Sequence, residues 1–202
     1  MKLRYIKIGK VTVIDILSRD LLGVVFRSEK PRSSIKFIKN RFGNNELIGC
    51  EIGIEEGHNS KNILNYLNIK KIYLIDPYVD YFEDDVKSPY DSKYNKKVAH
   101  RKLKKYQSKI IWIEKYSSDA LNDINEKLDF CYIDGNHDYK HVTEDIKNYY
   151  KKLKIGGILA GHDIENGLVP NHDGVVKAVL EFVNKNNLKL YIHAPDWWII
   201  KK

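Results

Sequence analysis

The stretch ELIGCEIGIEEGHNS, residues 46–60, decides the architecture. Its apolar first half reads as a buried strand, Gly53 and Gly57 break it into a tight turn, and the helical pattern SKNILNYLN (60–68) follows. The same alternation continues downstream. KIYLID (71–76), KIIWIE (109–114), LDFCYID (128–134) and GGILAGHD (156–163) read as buried strands, with helices predicted at 95–107, 118–127, 141–153 and 174–187. Upstream, Ser33 or Ser34 can cap a helix carrying Ile35, Phe37, Ile38 and Phe42 that ends at Gly43. This order predicts an α/β domain, a doubly wound and mainly parallel sheet with helices on both faces. LKLYIHA and DWWIIKK, joined by a tight turn at Ala194-Pro195-Asp196, must instead be antiparallel neighbours. They form the expected edge, where Trp197 and Trp198 alternate, so that one of them should face a partner or neighbouring subunit. Residues 1–32 mix short apolar runs with charge and are hard to assign, which divides the chain into an arm and helix (1–43) and a main domain (44–202).

Composition narrows the function. A chain of 202 residues with 43% hydrophobic content can build the core of one domain. Two cysteines, Cys50 and Cys131, both inside apolar runs, exclude a disulfide-stapled secreted fold and a four-cysteine zinc site. No run approaches the roughly 20 apolar residues of a membrane helix. The start MKLRYIKIGK lacks a signal peptide's apolar core, so a cytoplasmic setting with no membrane partner is expected. Thirty-five Lys and Arg against 27 Asp and Glu give a net charge of +8, which permits attraction to phosphates. Most of these cations are lysines without arginine forks or a clustered aromatic stripe, so a solvated surface is favoured over nucleic-acid reading.

In doubly wound sheets ligands sit outside the carboxyl ends of the strands. At the first such end, Glu51, Gly53 and Gly57 form a turn that lacks the third glycine of a dinucleotide fingerprint, and Glu55 and Glu56 would repel a pyrophosphate. The loop, which ends at Ser60, suits a ligand that is cationic or neutral near an amino-acid end, or is an ordinary strand-to-helix turn. Asp76, 19 residues after Gly57, sits where a carboxylate accepts both hydroxyls of a ribose. Ser117 and Ser118 could meet an adenine edge or cap a helix. The fourth and fifth strand ends deliver Asp134, His137, His162 and Asp163 to one rim. Carboxylates with imidazole suit a divalent cation, and a histidine can take a proton near pH 7; the same residues could also cap helices and turns. His137 and His141 lack an HExxH context, and no GxSxG elbow or phosphate-cradling GxxxxGK[ST] is present. The aromatic stretch 77–94, with Tyr78, Tyr81, Phe82, Tyr90 and Tyr94, reads either as a lid or as a packed loop.

CEIGIEEGHNS, YLIDPY, CYIDGNHDY, LKIGGILAGHD and GVVKAVLEF…DWWII together resemble a class I S-adenosylmethionine-dependent methyltransferase, and more narrowly the methyltransferase-24 group related to macrocin-type sugar O-methyltransferases and cephalosporin-hydroxylase-like proteins. The resemblance covers about residues 44–202 and implies a Rossmann-like sheet of seven strands in the order 3-2-1-4-5-7-6 with strand seven antiparallel. It implies S-adenosylmethionine as cofactor, with Glu51, Gly53 and Gly57 around the methionine moiety, Ser60 also among the cofactor-binding residues, Asp76 on the ribose, Ser117 and Ser118 at the adenine, and Asp134 facing the methyl group. In metal-dependent relatives the position of Asp134 binds magnesium, and here Asp134, His162 and Asp163 would be the ligands of Mg2+ or another divalent cation. His162 replaces an oxygen ligand and departs from that pattern. His137 matches a common histidine of the group and is the candidate general base, with Asp134 the second catalytic residue.

The function these features predict is O-methylation of a small-molecule or sugar (glycan) hydroxyl by direct displacement, with Asp/His base or metal assistance. The alternatives are an RNA- or protein-directed methyltransferase docking through Lys96, Lys97, Arg101, Lys102, Lys104 and Lys105, and a non-catalytic binding module on the same fold. Residues 1–43 could form a lid helix or a homodimer contact.

Overall fold

The computed structural model describes residues 3–8, 11–16, 31–80, 82–83, 86–87, 91–164 and 173–202. In chain order these form strands β1 (Leu3–Ile8) and β2 (Val11–Ile16), helix α1 (Ser33–Phe42), β3 (Leu47–Ile52), α2 (His58–Tyr66), β4 (Ile69–Ile75), and the two-residue strands β5 (Phe82–Glu83) and β6 (Val86–Lys87). Then follow α3 (Ser92–Leu103), β7 (Ile110–Ile113), α4 (Ser117–Ala120), β8 (Leu128–Ile133), α5 (Tyr139–Lys152), β9 (Leu153–Gly161), α6 (Gly174–Lys185), β10 (Leu190–His193) and β11 (Asp196–Ile200).

The main sheet runs β1-β2-β10-β11-β9-β8-β3-β4-β7. Its last seven strands, read from β7, reproduce the expected order 3-2-1-4-5-7-6. Strands β7, β4, β3, β8 and β9 are parallel, and β11 is antiparallel to both of its neighbours. The sheet is two strands wider than the sequence suggests. β1 and β2 form an antiparallel hairpin, and β2 pairs parallel with β10, so the arm extends the sheet.

Successive side chains on a strand point to opposite faces, so a sheet covered on both sides needs apolar residues at nearly every position. Cys50, Ile52, Ile75, Cys131 and Ile133 pack with Ala120 of α4, Val142 and Ile146 of α5, and Val175 and Val179 of α6. Their alternating neighbours Ile72, Leu74, Phe130 and Tyr132 pack with Ile35 and Ile38 of α1, Ile63 of α2, and Ala99 and Leu103 of α3. Cys50 and Cys131 are free, buried and side by side in register.

The expectation for Trp197 and Trp198 is corrected: both are 1% exposed. β11 lies between β9 and β10 rather than at an edge, and helices cover both of its faces. Trp197 lies against Gly161, while Trp198 stacks on Tyr191 and tilts against Phe37. Among the described residues no helix is long and apolar enough to cross a membrane.

Candidate active site

The parallel strands β3, β4, β8 and β9 open their carboxyl ends at one rim, and the backbone there is tightly constrained. Gly53 has φ +80°, and a Cβ at this position would lie 2.0 Å from the carbonyl oxygen of Asp134. The loop after β3 therefore crosses directly against the loop after β8, which only glycine permits. Gly57, at φ +73°, starts α2. Three non-glycine residues of the rim, Glu55, Tyr78 and Asp163, also take left-handed conformations, which persist where surrounding contacts over-determine them.

Asp76 is what fixes the glycine loop. Its Oδ2 accepts the backbone N–H groups of Ile54 (2.8 Å) and Glu55 (3.0 Å), and its Oδ1 accepts that of Tyr78 (2.8 Å). A carboxylate offers about four acceptor positions, so one remains on Oδ1. Glu51 is 1% exposed and receives Asn59 Nδ2 at 2.9 Å and Ser60 Oγ at 2.5 Å. Burial pushes its carboxyl up to about 7 against the pull of those two hydrogen bonds. Glu51 and Ser60 thus face each other inside the protein. Ser117 is tied by its side chain to Asp145 of α5, whose carboxyl burial raises to about 6, and Ser118 is exposed.

On the other half of the rim, Asp163 Oδ2 lies 3.0 Å from His137 Nε2 and 3.1 Å from His162 Nδ1, and His162 Nδ1 is 3.8 Å from Asp134 Oδ1. These residues line a small cleft with Gly135, Asn136 and Trp197. Burial opposes ionisation of Asp163, but the hydrogen bonds from the two histidines outweigh it and hold the carboxyl well below its usual range. For His162, burial again opposes the charge, yet the hydrogen bond to Asp163 and the nearby carboxylates raise its pKa overall. One donor atom from each of Asp134, His162 and Asp163 falls within a 4.8 Å set. The three candidate metal ligands and the candidate base His137 are therefore brought together, and Gly53 joins them to the Asp76 side.

Arg32, just before α1, was not among the expected site residues. Its Nη1 donates to Asp134 Oδ2 at 2.7 Å and to the Tyr132 hydroxyl at 2.5 Å. Tyr132 in turn donates to Asp196 Oδ1 (3.0 Å), and Asp196 Oδ2 accepts Ser34 N (3.0 Å) and Ser34 Oγ (2.5 Å). Composition held one clue: Arg32 is one of only six arginines among 35 cations. In the aromatic stretch, Tyr78 is buried, Tyr94 is 57% exposed, and the side chains of Tyr81, Phe82 and Tyr90 lie outside the described residues.

Comparison with known proteins identifies the family and the fold. A methyltransferase-domain family, methyltransferase 24, matches residues 50–164. An uncharacterized protein of Acanthamoeba polyphaga mimivirus is 27% identical over 134 residues, which are 64% of this chain and 57% of that protein, so the chain spans little more than half the length of this relative. Among solved structures, an rRNA methylase from Streptococcus thermophilus superposes with a TM-score of 0.57 at 16% identity, covering 84% of this chain and 95% of that one. A Streptococcus mutans candidate methyltransferase in complex with S-adenosylhomocysteine gives 0.59 at 19% identity, over 82% and 93%. A TDP-rhamnose 3′-O-methyltransferase of calicheamicin biosynthesis gives 0.58 at 13% identity, over 83% and 77%. At these identities the structures share the fold, and it is the match over more than half of its length that makes the chain a member of the methyltransferase-24 family of class I S-adenosylmethionine-dependent methyltransferases.

Proposed function

We propose that the chain methylates a hydroxyl of a small molecule or sugar, using S-adenosylmethionine. The observation that carries this reading is the His137–Asp163 pair, set on the same rim as Asp76 and the glycine turn. The residues suit the cofactor. Asp76 keeps an acceptor position for a ribose hydroxyl, and the buried Oδ1 of Asn59, beside Glu51, has no hydrogen-bond partner among the described residues, which fits an ammonium donor. When bound, S-adenosylmethionine would supply a methyl group to the acceptor oxygen, its C–S bond breaking to release the neutral thioether S-adenosylhomocysteine.

A sulfonium is already reactive, so the protein must align the acceptor and remove its proton. With the His137 Nε2–H directed at Asp163, Nδ1 is the basic nitrogen of the neutral ring and receives the hydroxyl proton. Asp163 holds the ring and stabilises the imidazolium that forms, while Asp134 keeps a carboxylate beside the reacting centre. Ser117 and Ser118, at the end of β7, remain candidates for the adenine edge.

The RNA- or protein-directed alternative draws less support. Lys96 pairs with Glu114 at 2.6 Å and Lys102 Nζ lies 3.8 Å from Glu56, which removes two cations from the docking face. Calorimetric titration with S-adenosylmethionine and S-adenosylhomocysteine tests the proposal. Micromolar binding is expected, with Asp76→Asn weakening it about tenfold through loss of about 1.4 kcal/mol. Absence of binding to either would leave a scaffold role for the fold.

A further inference from the structure

The donor atoms of Asp134, His162 and Asp163 lie close enough together for one divalent ion, but the charges around them argue against a resident one. Arg32 Nη1 already sits 2.7 Å from Asp134 Oδ2, and Asp163 Oδ2 is shared between two imidazoles at 3.0 and 3.1 Å. Magnesium seeks six hard oxygen ligands in near-octahedral geometry. Here it would share Asp134 with a fixed guanidinium and take an imidazole in place of an oxygen. As arranged, the residues do not fit it.

The Arg32 contact is built into the fold. Surface ion pairs between long, mobile side chains contribute little, but this guanidinium is held between Asp134 and Tyr132. It lies 5.3 Å from the centroid of the Tyr132 ring and donates to the Tyr132 hydroxyl. Its backbone is pinned by the next two residues. Ser33 Oγ meets His193 Nδ1 at 2.9 Å, and Ser34 binds Asp196, itself 1% exposed, through both N and Oγ. A permanently charged guanidinium in that frame is a fixed cation for Asp134.

We propose that Arg32 is the resident cation of this site, a positioning residue that occupies Asp134 where a divalent ion would otherwise bind and that holds the carboxylate in place without a metal. The inference rests on the methyl-transfer reading for what Asp134 faces, whereas competition between Arg32 and an ion does not. The test titrates Mn2+ alone into the full chain and follows free Mn2+ by electron paramagnetic resonance. The wild type is expected to show no site tighter than about 1 mM, Arg32→Gln to gain one at least about tenfold tighter, and Arg32→Gln/Asp134→Asn to lose it again. A wild-type site tighter than about 1 mM overturns the proposal. So does an Arg32→Gln protein that keeps its near-ultraviolet circular dichroism and gains no site. Arg32→Met, which retains the stem over the Tyr132 ring, repeats the comparison should the glutamine variant not fold. S-adenosylhomocysteine binding by the same wild-type sample separates the two failures: its absence overturns the methyl-transfer reading and leaves the ion result intact.

Discussion

Near pH 7 the Glu51 carboxyl is close to half-protonated, because burial penalises its charge more than Asn59 and Ser60 favour it. A carboxyl raised in the folded state keeps its proton longer than in the unfolded chain. The cost of ionising it is therefore absent below the unfolded value of about 4.5, grows as pH rises toward 7, and is constant above that. Glu51→Gln should match the wild type in urea denaturation at pH 4 and exceed it at pH 8 by something on the order of 3 kcal/mol. Equal stability at both pH values would show that Glu51 ionises freely in place. The same residue was legible in the sequence as a carboxylate at a strand end. Its enclosure by Asn59 and Ser60 was not, because enclosure depends on how α2 folds back over β3.

Helix α1 starts without a side-chain cap of its own, since Arg32 stands at the N-cap position. Asp196, at the start of β11, replaces that cap by accepting the N–H and hydroxyl of Ser34, and its charge lies at the positive end of the helix. Asp196→Ala should cost about 2–3 kcal/mol in chemical denaturation, since three donors lose a buried acceptor together. Loss of less than 0.5 kcal/mol, about the size of an ordinary surface change, would remove Asp196 from this role. Element type was readable because short continuous apolar runs and helical spacings are strong in this chain, and helix α1 followed from them, whereas the order of the strands in the sheet was implied by the family resemblance. The short α4 and the early start of α2 at His58 were less so, since local spacing there competes with the constraint of the glycine turn. What spacing could not supply was the pairing of α1 with β11. That contact joins residues 162 positions apart, and it anchors the helix start from which Arg32 reaches Asp134.

Across the whole molecule, the sheet is wider than its seven-strand frame because the β1–β2 hairpin pairs onto β10. A bare sheet edge is a template for pairing with another chain, and here the hairpin covers the edge that β10 would present. Removing residues 1–16 should raise the mean mass in light scattering as protein concentration increases, while the full chain holds its mass. A truncated protein whose mass stays constant would assign the hairpin another role. The apolar runs of the arm gave no order for these strands, because a hairpin's partner strand is chosen by the rest of the fold. The link between Ser34 and Asp196 has a temporal side as well. During synthesis Arg32 emerges well before Asp196, the residue of β11 that fixes its helix. The acidic rim therefore waits on Asp196, and a protein cut short before that residue would carry every candidate active-site residue yet lack the clamp that aligns Asp134.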